Sequence, residues 1–434
     1  MLKSKVEAGK TMPDWSWKSQ RRIWLATWLA AVVAAGAFGE ENWSRFRGPN
    51  GSGVAAGVSF AATWADADYQ WKVSLPGNGH SSPVAWGDRL FVTTADEQTG
   101  ELSLIALDAE SGETLWSESF ASSPHHLHAA NSYASSSPTV DHRQVYITWS
   151  NGQELWAAAL THAGEEAWSR RLGPLDYGHG FGGSPVVVDG RLIVANDNSG
   201  ESFVTALDVE AGEPRWRRER AAGKESYATP AVWRGADCRL QIVVHSTGEG
   251  MAGLSPQDGD VLWQVKDVFP ERCVLSPLVA GGLVFGGTGE GGNGKSFTAV
   301  RPPSAAGGEA TVAYELSKSL PQVPTPVATD DLLFVWSDRG VASCYDLQTG
   351  KLHWTERLGG NYFSSPVIAG DTLYAVAADG EVIAIAADST FKLLGRSELG
   401  EASSATPMIH RGRMYLRGES SLVCLSGEPA TVDR

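Results

Sequence analysis

Cysteine is scarce in this sequence, and the few cysteines lie far apart. Only four occur among 434 residues, and none is spaced as in a CxxC or CxxxC metal or haem motif. The repeat described below also separates them in space, whereas a disulfide needs Cα atoms within roughly 7 Å. We therefore expect four free thiols, at Cys238, Cys273, Cys344 and Cys424.

Positive charge is also in short supply. The chain has 35 Lys and Arg against 50 Asp and Glu, for a net charge of −15. Residues 1–39 hold six basic and two acidic residues, so removing them would take the net charge to −19. Such a surface repels nucleic acid and anionic lipid, which we exclude as partners.

Recognised catalytic motifs are missing as well. The sequence has no GxSxG, no HExxH and no GxGxxG that precedes a helix. The glycine-rich stretch at 286–295 resembles a phosphate-binding loop, but the residues after it, Phe297 to Val300, predict a strand instead of a helix. We interpret it as a turn between strands.

The first 39 residues differ in kind from the rest. Basic residues precede an apolar run from Ile23 to Ala35, and small residues follow at Ala37 to Gly39. This order is typical of a secretory signal peptide, and the run is too short for a stable membrane span. We predict cleavage near Ala37–Gly39, an extended segment at 40–68, one domain at 69–427 and a tail at 428–434.

Two marks recur along the domain. A Ser/Thr-Pro dipeptide marks each of eight copies, with prolines 40 to 55 residues apart, and Gly followed four residues later by Trp closes five of these copies. Between them, short β-branched runs alternate with Gly, Asp and Asn turns, which favours antiparallel hairpins. Four strands in each period of this length predict a β-propeller.

The ends of the chain set the number of blades. The eighth copy has room for three strands before Gly427, and an orphan strand stands near the start, at Tyr69 to Val73. We predict an all-β fold with a single eight-bladed propeller of four-stranded antiparallel blades. The N-terminal strand completes the last blade and removes its open edge.

Six tryptophans occupy the repeat position, and we interpret them as structural. A wide ring wedged between blades, with its indole N–H on a backbone acceptor, explains their spacing. These predicted docking residues are Trp71, Trp116, Trp168, Trp216, Trp263 and Trp354.

The repeat also sorts the loops by face. We call the face formed by between-blade loops and second-to-third turns the loop rim, and the face formed by the turns after the first and third strands the turn rim. Unusual polar residues collect on the loop rim around the first three blades, where binding residues are expected. The candidate ligand or partner residues are His80, His125, His126, His128, Asn131, Tyr133, Tyr177, His179 and Asp197.

Histidines in this set leave three interpretations open. His126, His128 and His179 are candidate ligands of a transition metal. The same side chains equally fit a polar ligand or partner site, or packing of the loops themselves. A third kind of site, for carbohydrate, rests on Trp149, Trp156 or Tyr177, which core packing explains as well.

The repeated Ala-Leu-Asp-x-x-x-Gly-Glu-x-x-Trp, at 106–116 and 206–216, resembles the tryptophan-docking repeat of pyrroloquinoline-quinone-like β-propellers. The stretches at 46–53 and 131–138 are similar to secreted propellers of planctomycete-type bacteria. One branch of this family, the quinoprotein dehydrogenases, implies a quinone with Ca²⁺, a catalytic Asp and often adjacent cysteines, which this chain lacks. Another branch, the outer-membrane assembly scaffold, implies a non-catalytic propeller that binds proteins.

Our functional prediction is an exported, monomeric binding or assembly scaffold of the periplasm or extracellular space. It would bind a protein or another cell-envelope component on the loop rim, without a cofactor and without catalysis. The alternative is an oxidoreductase that uses pyrroloquinoline quinone with Ca²⁺, or a transition metal, on the same rim.

Overall fold

Short β-strands joined by tight turns make up most of the computed structural model, which describes residues 42–430 except 222, 236, 237 and 306. The predicted signal peptide and the last four residues lie outside the described part of the chain. The described helices are two three-residue 3₁₀ turns, Pro49–Gly51 and Asp66–Asp68.

Each of the first four blades is an antiparallel sheet in sequence order. Blade 1 comprises Val84–Trp86, Arg89–Ala95, Leu102–Asp108 and Thr114–Phe120. Blade 2 comprises Thr139–Val140, Gln144–Ser150, Glu154–Thr161 and Glu166–Pro174. Blade 3 comprises Val186–Val188, Arg191–Asn196, Ser202–Asp208 and Pro214–Arg220. Blade 4 comprises Ala231–Arg234, Leu240–Ser246, Gly250–Leu254 and Val261–Val265.

The remaining blades repeat the pattern, with the last one split between the two ends of the chain. Blade 5 comprises Leu278–Ala280, Leu283–Gly289, Gly294–Arg301 and Thr311–Leu316. Blade 6 comprises Val327–Ala328, Leu332–Trp336, Val341–Asp346 and Leu352–Arg357. Blade 7 comprises Val367–Ala369, Thr372–Val376, Glu381–Ala386 and Leu393–Glu398. Blade 8 comprises Met408–His410, Arg413–Arg417, Ser421–Ser426 and the early strand Tyr69–Ser74.

The eight blades of the described chain confirm the predicted fold. Tyr69–Ser74 runs antiparallel to Ser421–Ser426, with Trp71 opposite Cys424, so the N-terminal strand closes the last blade. First strands of neighbouring blades contact one another and surround a central channel. Second and third strands are buried on both faces because each blade packs against the next.

The Gly and Trp marks meet between blades. A Cβ on Gly212 would lie 2.5 Å from the Trp168 ring of the preceding blade, and the indole N–H of Trp168 donates to the Val209 carbonyl at 2.9 Å. Trp116, Trp216 and Trp354 likewise donate to backbone carbonyls of the next blade.

Three positions vary this pattern. Trp263 donates within its own blade, to Gln241 Oε1 at 2.6 Å. The indole N–H of Trp71 has no hydrogen-bond partner among the described residues, although its ring lies against Gly112. Blade 5 has Tyr314 in place of Trp, and its ring covers Gly350 while its hydroxyl donates to the Leu347 carbonyl at 2.7 Å.

The Ser/Thr-Pro marks form a closed ring of hydrogen bonds, which we call the hydroxyl ring. In every blade the backbone N–H of the Ser or Thr donates to the hydroxyl of the equivalent residue in the next blade, at 2.8 to 3.3 Å. Thr406 of blade 8 donates back to Ser82 of blade 1, which closes the ring. Its members are Ser82, Ser137, Ser184, Thr229, Ser276, Thr325, Ser365 and Thr406.

Residues 42–55, the channel segment, cross the centre of the propeller. The segment accepts N–H groups of Ala85 in blade 1 and Val140 in blade 2, and it ends as Val54–Ala55, parallel to Val367–Ala369 of blade 7. The segment thereby satisfies the inner edges of several first strands, which no neighbouring strand covers.

Arg47 is the main anchor of the channel segment. Its side chain is 1% exposed and makes five hydrogen bonds of 2.6 to 3.2 Å, all to backbone carbonyls. Three of the acceptors, Thr325, Pro326 and Pro366, belong to blades 6 and 7. Burial, followed by repulsion from Arg45, lowers the pKa of Arg47 to about 9.

Other features bear on the sequence predictions. Glu428–Pro429, at the start of the predicted tail, pairs with Val58–Ser59. All four cysteines are free thiols, and only Cys238 is exposed. Neither of the described helices approaches the length and hydrophobicity that a membrane crossing requires.

Candidate functional site: the cavity of the loop rim

A cavity of about 630 Å³ opens on the loop rim around the propeller axis. All eight members of the hydroxyl ring line it, together with Phe46 of the channel segment. The channel segment enters from the turn rim, where it contacts Gly87 and Ala85. Phe46 and the hydroxyl ring therefore form the floor, and the between-blade loops form the walls.

Histidines of blades 2 and 3 meet at one wall. The rings of His128 and His179 lie 4.9 Å apart, and both side chains line the cavity. Asn131 fixes this contact because its amide donates to the His179 carbonyl at 2.7 Å. Burial lowers the pKa of His179, and its Nδ1 has no hydrogen-bond partner among the described residues.

His80 contributes a further polar group to the cavity wall. Burial, followed by the positive charge of Arg417, lowers the pKa of His80 to about 4. This histidine is therefore neutral near pH 7 and acts as a hydrogen-bonding group.

The wall at blades 4 and 5 carries charge of both signs. Arg272 pairs with Glu225 at 2.8 Å and approaches Glu290 at 3.6 Å. Tyr227 lies beside them, and its hydroxyl has no hydrogen-bond partner among the described residues. This wall can therefore offer a hydroxyl, a guanidinium and a carboxylate to one ligand.

Asp338 is the buried carboxylate of the cavity. It is 4% exposed and accepts the backbone N–H groups of Gln322 at 2.6 Å and Val323 at 3.1 Å. Burial raises the pKa of Asp338 to about 6 even though these hydrogen bonds oppose the shift. A carboxylate that titrates near neutral pH in a cavity is a candidate for proton transfer.

Several predicted site residues pack within the between-blade loops instead of lining the cavity. His125 packs on Tyr133 with ring centroids 4.8 Å apart, and the Tyr133 hydroxyl donates to the His125 carbonyl at 2.9 Å. His126 is exposed, and Tyr177 packs against Phe181 and Tyr227. These contacts stiffen the rim and leave His80, His128, Asn131 and His179 as the predicted residues that line the cavity.

Asp197 lies inside the wall, away from the cavity. Its carboxylate pairs with Arg220 at 2.7 Å, and the two side chains are 5% and 2% exposed. Burial raises the pKa of Asp197 to about 6. Nothing in the Asn-Asp-Asn turn sequence distinguishes this buried ion pair from an exposed acidic turn.

Metal binding finds little support in this arrangement. Across the described residues, no three His, Cys, Asp or Glu side chains are grouped so that they could hold a metal ion. His128 and His179 approach each other, while His126 stays exposed outside the cavity lining. In the described structure these three candidates are therefore not grouped as the ligands of one metal ion.

The sequence does not reveal the floor of the cavity, and the repeat register puts Asp338 on the loop rim without distinguishing it as a site residue. The Ser/Thr-Pro dipeptides serve there only as a repeat mark, although eight hydroxyls at one register position are a signal of a shared environment. Asp338 stands in the sequence as one of many acidic turn residues. Its burial depends on the loop that carries Gln322, which sequence spacing does not reveal.

Comparison with known proteins identifies the family. A family model described as "Outer membrane protein assembly factor BamB" matches residues 52–172, 149–304 and 294–428, which together span nearly the whole propeller. The chain belongs to this family. The predicted relationship to pyrroloquinoline-quinone-like propellers is thereby confirmed.

Curated relatives include proteins of both branches. BamB of Burkholderia pseudomallei is 23% identical over 366 residues, or 79% of this chain and 84% of that protein. BamB of Yersinia pestis is 22% identical over 275 residues, or 61% of this chain and 64% of that protein. A polyvinylalcohol dehydrogenase of a Pseudomonas species is 24% identical over 365 residues, which span 77% of this chain but 49% of the enzyme.

Solved structures show the same fold. A europium-containing methanol dehydrogenase superposes with a TM-score of 0.66 at 12% identity, over 89% of this chain and 98% of that one. BamB from Moraxella catarrhalis superposes with a TM-score of 0.56 at 14% identity, over 82% of this chain and 98% of that one. At these identities the likeness extends to the fold alone.

The dehydrogenase branch implies a quinone with a metal ion, and the cavity fits this group poorly. It offers one buried carboxylate, Asp338, whose oxygens already accept two backbone N–H groups. No second His, Cys, Asp or Glu completes a ligand set among the described residues. The described residues of this cavity therefore show no preformed set of ligands for a metal-bound quinone.

Proposed function

We propose that this chain is an exported, non-catalytic scaffold in outer-membrane protein assembly, and that a protein partner binds over the cavity of the loop rim. One observation carries the proposal: a pre-formed cavity draws its lining from all eight blades, in a chain of the BamB family. Propellers are suited to this role because loops from many blades converge on one concave surface.

The rim is already ordered, which favours binding. Side chains of the between-blade loops hold one another through the His125–Tyr133 contact and the Asn131–His179 hydrogen bond. Lys224 also forms an ion pair with Glu271. Loops that are fixed before binding lose less conformational entropy on association, so more of the contact energy appears as affinity.

Unpartnered polar atoms supply specificity. His179 Nδ1 and the Tyr227 hydroxyl are buried without hydrogen-bond partners among the described residues. A ligand or partner that pairs them recovers the free energy that their burial costs. They lie on adjacent walls, so one partner segment can reach both.

The proposed location is the periplasm or the extracellular space. The signal-peptide pattern of residues 1–39 and the name of the family support export. The acidic surface favours a protein partner over nucleic acid or anionic lipid.

Genetic complementation tests the proposed role. In a strain that lacks this chain, the wild type should restore the outer-membrane protein profile. Ala130→Trp, which fills the mouth of the cavity, should fail to do so. The control is Ala163→Trp, on the turn rim of the same blade, which should restore the profile. Equal rescue by both variants at equal protein levels would contradict the proposal.

A cofactor-dependent oxidoreductase is the second candidate, and Asp338 favours it. A buried carboxylate with a pKa near 6 suits a general base. Added pyrroloquinoline quinone and Ca²⁺ should then raise the unfolding temperature of the wild type but not of Asp338→Asn, since a ligand at a hundred times its Kd stabilises by about 2.7 kcal/mol. No shift in either protein would remove this candidate.

A further inference from the structure

The hydroxyls of the hydroxyl ring carry protons that are not used in hydrogen bonds within the described chain. Each of its eight hydroxyls accepts one backbone N–H from the preceding blade. A serine or threonine hydroxyl also carries one proton of its own. For none of the eight does that proton have an acceptor within the described part of the chain, and all eight residues line the cavity floor.

Two guanidinium groups lie beside this ring without a counter-ion. Arg45 donates to the Pro230 carbonyl at 2.7 Å, and Arg47 donates to the Thr325 carbonyl at 3.1 Å. Thr325 is itself a ring member, and Pro230 directly follows another, Thr229. Neither arginine has a carboxylate partner among the described residues, and Arg45 Nε has no hydrogen-bond partner there.

Both arginines are buried and charged. Arg45 is 6% exposed and Arg47 is 1% exposed. Burial lowers the pKa of Arg45 to about 10 and is also the main cause of the lowered pKa of Arg47. Both stay protonated near pH 7, so positive charge without a carboxylate partner is buried next to the ring in a protein whose net charge is −15.

The carboxylates of the cavity belong to its walls. Asp338 accepts backbone N–H groups, and Glu290 lies near Arg272 and Lys224. Neither contacts Arg45 or Arg47 within ion-pair distance in the described structure. The hydroxyl donors of the floor and the buried charges of Arg45 and Arg47 therefore have no carboxylate partner among the described residues.

We propose that the cavity floor is an oxyanion subsite, where the hydroxyl ring donates hydrogen bonds to one carboxylate or phosphate group. The ring supplies donors around the axis, and Arg45 and Arg47, buried next to the ring, supply positive charge. Hydrogen bonds to a charged acceptor are shorter and stronger than neutral ones. The subsite rests on the proposed function only in using the same cavity, because the oxyanion can belong to a protein partner or to a free small molecule.

Fluorine NMR tests the subsite on the purified chain from Glu40 onward. Trifluoroacetate is the probe, and trifluoroacetamide is its neutral analogue of nearly the same shape. We expect the trifluoroacetate resonance to broaden with protein and the trifluoroacetamide resonance to broaden at least tenfold less. Competition with acetate and with inorganic phosphate then shows which oxyanion source the subsite prefers.

Two variants test whether trifluoroacetate binds at the cavity floor. Thr229→Val removes one ring hydroxyl and should weaken trifluoroacetate binding roughly fivefold, the effect of one hydrogen bond of about 1 kcal/mol. Arg45→Met should weaken it at least tenfold. The matched control is Thr205→Val, which removes a buried hydroxyl that bonds the Trp216 carbonyl outside the cavity and should leave binding unchanged.

The outcomes separate this proposal from the proposed function. Equal broadening by the neutral analogue, or equal binding by wild type, Thr229→Val and Arg45→Met, would overturn the subsite. A variant that loses its folded circular dichroism spectrum is replaced by Thr406→Val, at the equivalent ring position. If trifluoroacetate does not bind at the floor, the complementation test with Ala130→Trp still stands, because that variant acts at the mouth of the cavity.

Discussion

In five repeats, the glycine that stands four residues before the Trp touches the aromatic ring of the preceding blade. Gly112, Gly164, Gly212, Gly259 and Gly350 all have positive φ angles, and a Cβ added to any of them would lie less than 3 Å from that ring. The spacing of the marks predicts the docking of Trp. Blade 5 has Tyr314 in place of Trp, which in the sequence indicates only a degenerate copy of the repeat. Tyr314 docks in the same way as Trp, because its ring packs on a glycine and its hydroxyl donates to a backbone carbonyl.

Gly212→Ala tests this contact. Gly212 combines a φ of +68° with a Cβ position 2.5 Å from Trp168. We expect a loss of about 3 kcal/mol or more in the free energy of unfolding, from backbone strain and overpacking together. Gly190→Ala is the control, since its φ is +70° but no atom lies within 4 Å, and it should cost about 1 to 2 kcal/mol. Urea denaturation measures both, and equal losses would contradict the docking account.

Asp338→Asn tests the buried carboxylate. Because the folded pKa of about 6 exceeds the unfolded value of 3.8, the unfolded state releases this proton first as the pH rises. The stability contribution of Asp338 is therefore greatest below pH 4 and falls between pH 4 and pH 6. Relative to Asp338→Asn, the wild type should lose roughly 2 to 3 kcal/mol between pH 4 and pH 7.5. A stability difference that does not change with pH would show that Asp338 titrates normally.

Among the elements, the channel segment departs most from expectation. Its Pro-Asn-Gly turn and aromatic residues indicate a packed segment, but spacing cannot show that it enters the channel. That course depends on the inner edges of the first strands, which exist only once the ring has closed. The N-terminal strand Tyr69–Ser74 was predictable because its missing partner was visible at the other end of the chain.

Arg47→Met tests the anchor of this segment. The substitution keeps most of the volume but leaves the carbonyls of Thr325, Pro326 and Pro366 without their donor. We expect a loss of about 3 kcal/mol, because buried acceptors without partners are costly. Arg143→Met removes an exposed ion pair with Glu210 and should change stability by less than about 0.5 kcal/mol. Similar values for both would mean that the segment is dispensable for stability.

At the scale of the whole molecule, the fold was more predictable than the site. Strand order, blade number and ring closure follow from local marks repeated along the chain. The cavity follows from contacts between loops distant in sequence, so the sequence does not show that Asp197 lies inside the wall while Asp338 lines the cavity. His80, His128, Asn131 and His179 reach the cavity because the register of the repeat puts their loops on one rim.

Site-specific photo-crosslinking shows which face of the propeller a protein partner contacts. A benzophenone amino acid at Ala130, on the cavity, is compared in living cells with the same group at Ala163, on the turn rim of the same blade. The scaffold account predicts a crosslink from Ala130 to a protein component of outer-membrane protein assembly, and none from Ala163. A crosslink to that component from Ala163 alone would contradict the account, because the partner would then bind the opposite face.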